Sequence, residues 1–291
     1  MTSIVIPAHN EGRVIGRLLD ALLSDPSAAP ATGPDIVVVC NGCTDDTAAV
    51  AAARGSRVRV VEIPTPSKHT ALRVGDKHAH GFPRLYVDAD VVVGAADVRA
   101  LADALAGSPA LLATAPGRDI PLTGCAWPVR AYYRVWQLLP AVREGLFGRG
   151  VIAVSEAGHA RLAALPPLMA DDLAASLAFA PGERQVVESA RVVVLPPRTW
   201  GDLIKRRVRA ATSSAELERF QASRPSGPEA AAPSARTGTG DLRALLRAQP
   251  RLLPGMVVFV VAALAARRGS RKAIRSGDFS TWLRDESSRQ G

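Results

Sequence analysis

Ser3–Leu23, SIVIPAHNEGRVIGRLLDALL, changes its apolar period once, and that change decides the fold. Ser3 to Pro7 is a short continuous apolar run of strand type, whereas Val14, Ile15, Leu18, Leu19, Leu22 and Leu23 recur at helical spacing on one face. Asn10 stands where a helix N-cap belongs. A strand feeding a helix through a polar loop is the opening of a parallel strand–helix–strand unit, and the alternation repeats downstream. Strands are expected at Asp35 to Cys40, Val58 to Ile63, Leu85 to Asp88 and Leu111 to Ala115. Thr44 or Asp45 is expected to cap a helix ending at Gly55, and Val98, Leu101 and Leu105 mark another ending at Gly107. The expected fold class is α/β, a Rossmann-like and mostly parallel sheet flanked by helices.

From about residue 116 the rhythm loosens. A helix is expected over Pro128 to Val142, a strand over Val151 to Ser155 and a helix over Glu156 to Leu165, followed by the β-branched run Gln185 to Leu195. Residues 222–240 are rich in Pro, Gly, Ser and Ala and read as a linker. The chain therefore divides into 1–115, 116–221, the linker 222–240 and a basic helical tail, 241–291.

With 47% hydrophobic and 22% charged residues in a chain of 291, composition is that of a globular protein with ample chain for a core. Disordered and disulfide-scaffold readings are excluded, and three cysteines (Cys40, Cys43, Cys125) fit a reducing compartment. MTSIVIPAHN lacks the basic flank and apolar core of a secretory signal, so a cytoplasmic protein is expected.

The net charge of +9 is unevenly placed. Residues 1–199 hold 19 basic and 19 acidic side chains, and residues 200–291 hold 17 and 8. No zinc-finger spacing, basic zipper or RNA-binding signature accompanies the excess, so a nucleic acid partner is not expected and an anionic membrane surface is. Leu252 to Ala266 is apolar throughout and precedes Arg267, Arg268, Arg271 and Lys272. At 1.5 Å per residue these fifteen residues reach only about 20 Å, short of a span. They are expected to form an interfacial or re-entrant element at the inner face of the cell membrane, with a helix packed on the core as the alternative.

In an open parallel sheet, ligands bind beyond the carboxyl ends of the strands. The loops there read Pro7-Ala8-His9-Asn10-Glu11, Asn41-Gly42-Cys43-Thr44-Asp45-Asp46, Pro64 to His69, and Asp88-Ala89-Asp90. Two carboxylates at i and i+2 after a strand suit a hard divalent cation, Mg²⁺ or Mn²⁺, that keeps positions open for diphosphate oxygens. Their ordinary alternative is a solvated strand-end turn. Glu11 is equally suited to the first turn of a helix, and Lys68 to solvent. Cys40-Asn-Gly-Cys43 sits where a redox pair would, and Gly148-Arg-Gly150 superficially matches a dinucleotide fingerprint. The first lacks a redox context, and the second precedes a strand instead of following one.

PAHNE at 7–11, NGCTDDT at 41–47, Lys68 with its following helix, DAD at 88–90 and Asp171-Asp172 together resemble the family 2 glycosyltransferases, inverting enzymes of the GT-A fold. The likeness covers residues 1 to about 210. It implies a nucleotide-diphosphate-sugar donor over Pro7, Ala8, His9, Asn10, Glu11, Asn41, Lys68, Asp88 and Asp90. It also implies a metal at Asp88 and Asp90, and Asp172 as the base with Asp171 supporting it or contacting the acceptor. Where the family often has two acids after its second strand, this chain has Cys40-Asn41, and the Gln-x-x-Arg-Trp pattern of processive synthases is missing. Lys205-Arg206-Arg207-Val208-Arg209 occupies the comparable stretch, and the absence of the processive pattern favours transfer of a single sugar; the charge and apolarity of the tail point to an acceptor that is lipid-linked or at the membrane surface. The alternatives are a non-catalytic, nucleotide-binding member of the fold and a sugar-phosphate nucleotidyltransferase; the latter's Gly-rich N-terminal loop is not found in PAHNEGRV.

Overall fold

The computed structural model describes residues 1–24, 33–165, 171–222 and 237–275. In chain order the elements are β1 (Ser3–Ala8), α1 (Gly12–Leu22), β2 (Asp35–Asn41), α2 (Thr47–Ala52), β3 (Val58–Ile63), α3 (Lys68–His78), β4 (Arg84–Val87), β5 (Val91–Val93), α4 (Ala95–Gly107) and β6 (Ala113–Asp119). There follow α5 (Trp127–Trp136), α6 (Pro140–Glu144), β7 (Val151–Val154), α7 (Glu156–Ala163), α8 (Asp171–Leu177), β8 (Arg184–Val194), α9 (Trp200–Ala222), α10 (Thr239–Ala248) and α11 (Leu253–Arg275).

These elements group into two units. The first comprises residues 1–120, 148–166 and 178–195, and the second residues 121–147, 167–177 and 196–291. The first holds one sheet of order β3-β2-β1-β4-β7-β6-β8-β5. Its β3-β2-β1-β4 half is parallel throughout, as the opening alternation predicts. Side chains alternate across it: Ile36, Val38 and Cys40 of β2 join the core under α1 and α4, while Val37 and Val39 meet Ala71 of α3 on the other face. Burial of Ile15, Leu18 and Leu19 fixes α1 on the sheet, each contributing roughly 1.5–3 kcal/mol.

The remaining strands depart from the simple alternation. β7 inserts between β4 and β6, antiparallel to both, so the strand expected at Leu111 to Ala115 becomes β6 (Ala113–Asp119) and does not adjoin β4. β5, unforeseen, pairs antiparallel with the β-branched run as β8. Three valines are too short a run to announce a strand without their partner.

Asn10 does not cap α1. It takes a left-handed conformation, φ 52°, and Glu11 occupies the cap position, its carbonyl accepting the N–H groups of Val14 and Ile15. Neither Thr44 nor Asp45 is the cap residue of α2, which is Asp46. The helix expected over Pro128 to Val142 is divided, because α5 ends at Trp136 and Pro140 opens α6 at its first turn, where a missing N–H is tolerated.

The second unit is helical. Met256, Phe259, Ala262 and Ala266 are the buried apolar side chains of α11, which packs on α5 and α9. Phe259 stacks on Tyr132 with ring centroids 5.2 Å apart, and a Cβ at Gly269 would strike Val208 of α9. The apolar segment from Leu253 onward is thus part of a 23-residue helix, because residues 267–275, mostly arginine and other helix-compatible residues, continue it. Residues 250–271 are long and apolar enough to cross a membrane, which corrects the length argument drawn from the apolar run alone. Of the linker expected over 222–240, residues 223–236 lie outside the described residues, and α10 begins at Thr239.

Candidate active site

Three neighbouring parallel strands, β2, β1 and β4, end at one edge of the sheet, and their loops are tied together there. The left-handed turn at Asn10 lets its side-chain oxygen accept the Thr44 N–H at 2.7 Å, while its own N–H donates to Cys43 Sγ at 3.4 Å. His9 Nδ1 lies 2.6 Å from the Asn41 carbonyl oxygen. A carbonyl only accepts, so this contact assigns the proton to Nδ1 of the ring. The Glu11 N–H donates to Thr47 Oγ1 at 2.8 Å, and the Gly12 N–H to Asp45 Oδ2 at 3.1 Å. Burial would raise the Asp45 carboxyl, but hydrogen bonds from the Thr47 hydroxyl and from the N–H groups of Gly12 and Thr47 outweigh it and hold it below the usual range.

Asn41 is buried and its amide donates to the Ala8 carbonyl at 2.8 Å. Its place is inside the loop, as a tie between the ends of β1 and β2. Gly42 has φ 58° and lies against Pro66, where a Cβ would come within 2.8 Å of the proline nitrogen. The turn therefore needs glycine. Glu11 is also buried, an unusual place for a carboxylate on a helix start.

The DAD turn follows β4. Asp88 donates its N–H to the Gly150 carbonyl at 2.7 Å, and its carboxylate Oδ1 lies 2.8 Å from Lys68 Nζ at the start of α3. Gly150 has φ 66°, and a Cβ there would stand 2.5 Å from Val91 and 3.2 Å from Asp88 Oδ2. Gly150 thus serves the close approach of β7 to Asp88, a role that appears only once β7 is known to adjoin β4. Among the described residues no group of three His, Cys, Asp or Glu side chains surrounds a common point. The Asp88 carboxylate is paired with the Lys68 ammonium, and acidic oxygens of this kind are the donor type that Mg²⁺ or Mn²⁺ takes.

Cys40 belongs to the core: burial first, and the neighbouring Cys43, push its thiol up to about 12, so it stays protonated at neutral pH. Cys43 instead donates to the Ala8 carbonyl at 3.4 Å. Sequence reasoning missed Cys43, Asp45 and Thr47 as the residues that join the two loops. Their polar character within NGCTDDT was the available signal.

Asp171 and Asp172 open α8 in the second unit. The side chain of Asp171 lies outside the described residues. Asp172 is exposed, and its Oδ1 accepts the Leu173 N–H at 2.7 Å, so its carboxylate is oriented by the helix start and open to solvent.

The family model described as Glycosyl transferase family 2 matches residues 3–154, which contain β1 to β7 with every loop of this sheet edge. The chain belongs to glycosyl transferase family 2. Among solved structures, the mannosyltransferase PcManGT from Pyrobaculum calidifontis, in complex with GDP-Man and Mn²⁺, is similar at a TM-score of 0.59 and 19% identity, over 99% of this chain and 84% of that one. A mycobacterial protein is similar at a TM-score of 0.53 and 20% identity, over 78% of this chain and 76% of its own. No curated protein sequence matches the chain. The glycosyltransferase fold is therefore the GT-A type, and α11 is the last of its described elements.

Proposed function

We propose that this family 2 glycosyltransferase moves a single sugar from a nucleotide-diphosphate-sugar to an acceptor hydroxyl, with inversion at the anomeric carbon. The observation that carries the reading is the Lys68–Asp88 ion pair beside the interlocked ends of β1 and β2: a carboxylate, an ammonium and polar loop groups on one sheet edge. Pro7, Ala8, His9, Asn10 and Glu11 receive the nucleoside, with the Glu11 carboxylate meeting ribose hydroxyls. Asn41 acts from inside by holding that loop. Asp88 and Asp90 hold a divalent cation, Mn²⁺ or Mg²⁺, which when bound offsets the charge developing on the departing diphosphate. Lys68 exchanges Asp88 for a phosphate oxygen when donor arrives.

Asp172 accepts the proton of the acceptor hydroxyl as its oxygen bonds to the anomeric carbon and the carbon–oxygen bond to diphosphate breaks. Asp171 contacts the acceptor. The acceptor is lipid-linked or held at a membrane surface, and the enzyme is cytoplasmic and peripheral at the inner face of the cell membrane, a reading supported by the basic excess of residues 200–291.

Calorimetric titration of UDP- and GDP-sugars with and without Mn²⁺ tests the donor half. Metal-dependent binding by the wild type, lost in Asp90→Ala, is expected. The absence of any nucleotide-sugar binding by folded protein would overturn it.

A further inference from the structure

Helix α11 has two apolar faces, and only one of them is covered. Met256, Phe259, Ala262, Ala266 and Ser270 are buried in the unit that includes α5 and α9. Leu253, Val257, Val260, Val261 and Leu264 are 40–57% exposed. At 100° per residue those five lie on a single stripe about 100° wide. Arg268 and Arg271, both exposed, fall on the same stripe in the following turns, and Arg267, also exposed, borders it. The outward face is thus apolar along its first ~17 Å and cationic beyond.

The surrounding sequence sharpens the charge. Residues 242–275 contain eight Lys and Arg and no Asp or Glu. A second copy of the chain laid on this face would bring the same cations to it, whereas an anionic phospholipid surface complements both its parts. Leucine and valine enter the acyl boundary, and the arginines reach back to phosphate.

By length and hydropathy, residues 250–271 would qualify as a span. The packing argues otherwise. The opposite face of α11 is occupied by α9, which carries Asp202, Lys205, Arg206, Arg207, Arg209, Glu216, Glu218 and Arg219. Sinking α11 through the bilayer would carry those charges into hydrocarbon. Val208, against Gly269, puts the Lys205–Arg209 segment of α9 alongside the cationic end of α11.

We infer that α11 docks the protein one-sidedly on an anionic bilayer. The Leu253–Leu264 stripe is embedded, the Arg267–Arg271 end lies at headgroup level, and nothing crosses. This deepens the membrane part of the proposed function and is independent of its donor chemistry.

The test uses the full chain with vesicles of phosphatidylcholine alone or mixed with phosphatidylglycerol. Wild type is expected to float with the anionic vesicles, and Val257→Glu/Val261→Glu to bind roughly a hundredfold more weakly, with its melting transition and nucleotide-sugar binding kept. Arg267→Gln/Arg268→Gln/Arg271→Gln is expected to lose about tenfold or more, and with it the preference for anionic lipid. Should the glutamate variant unfold, Val257→Trp replaces it. Its added emission is expected to be quenched by lipids brominated near the headgroup more than by lipids brominated near the chain ends. Equal or stronger quenching from the bilayer centre would overturn one-sided docking. Wild-type binding with Val257→Trp unquenched, or with the glutamate variant folded and binding normally, would put the membrane contact elsewhere. Failure of wild type to bind any vesicle would overturn both this inference and the membrane part of the function, leaving the transferase reading to its own titration.

Discussion

The loops after β1 and β2 are joined by directional polar contacts, Thr44 to Asn10, Glu11 to Thr47 and Asn41 to Ala8, whereas the helical unit is joined by rings and methyl groups. A site that must hold a charged donor needs donors and acceptors fixed in direction, and hydrogen bonds supply direction. Packing of α11 on α5 and α9 supplies area without direction, which is why one apolar face of that helix is satisfied while the other stays open. On the proposed reading the sheet edge recognises a small polar ligand and the helical unit meets a broad surface.

The largest expected effect separates chemistry from donor recognition. Asp172→Asn should lower kcat by about 10²–10⁴ while nucleotide-sugar affinity, read by calorimetry, stays unchanged. A parallel loss of affinity would break the division of labour between the two units. Next, Phe259→Ala removes the ring stacked on Tyr132 and should cost about 3–5 kcal/mol in urea unfolding of the helical unit. Gly150→Ala forces a side chain into a left-handed position against Val91 and Asp88. It should destabilise by about 1–3 kcal/mol and weaken donor binding as Asp88 shifts. Unchanged donor affinity in that variant would separate β7 from the site.

Asn41→Ala leaves the buried Ala8 carbonyl with only the weaker Cys43 thiol as side-chain donor, for about 1–3 kcal/mol, and should loosen donor binding if the tie between β1 and β2 shapes the loop. The smallest effect concerns pH. The Asp45 carboxyl is held below its ordinary 3.8, so its contribution to stability is present above that value and is lost as pH falls through the depressed one. Asp45→Asn should therefore be slightly less stable than wild type at pH 7, with the gap closing below pH 3.8. A gap independent of pH would assign the effect to geometry and not to charge.

Much of the first unit was legible because its signals are local. The apolar run before PAHNE and the leucine stripe after it require only near neighbours, as do β2, β3 and α4. The placement of the candidate loops was legible for a related reason: the carboxyl ends of neighbouring parallel strands share one sheet edge by topology. Asn10 shows where local reasoning stops. Its cap propensity is genuine, yet a contact with Thr44, 34 residues away, prevails and turns its backbone left-handed. Asn41, a polar residue that the sequence places among the ligand-facing loop residues, is buried against β1. Gly150 carried no readable meaning until β7 lay beside β4.

By itself the sequence determined the parallel half of the sheet, the order of the donor-side loops, the paired carboxylates and the basic, apolar tail. Each follows from period, composition and short motifs, which act within a few residues. Only the tertiary structure decided that β7 enters antiparallel, that Lys68 reaches Asp88, that Asn41 turns inward and that α11 runs past its apolar run with one face covered. Those outcomes depend on which surfaces meet across the chain, and burial of a particular face is a property of the partner as much as of the segment.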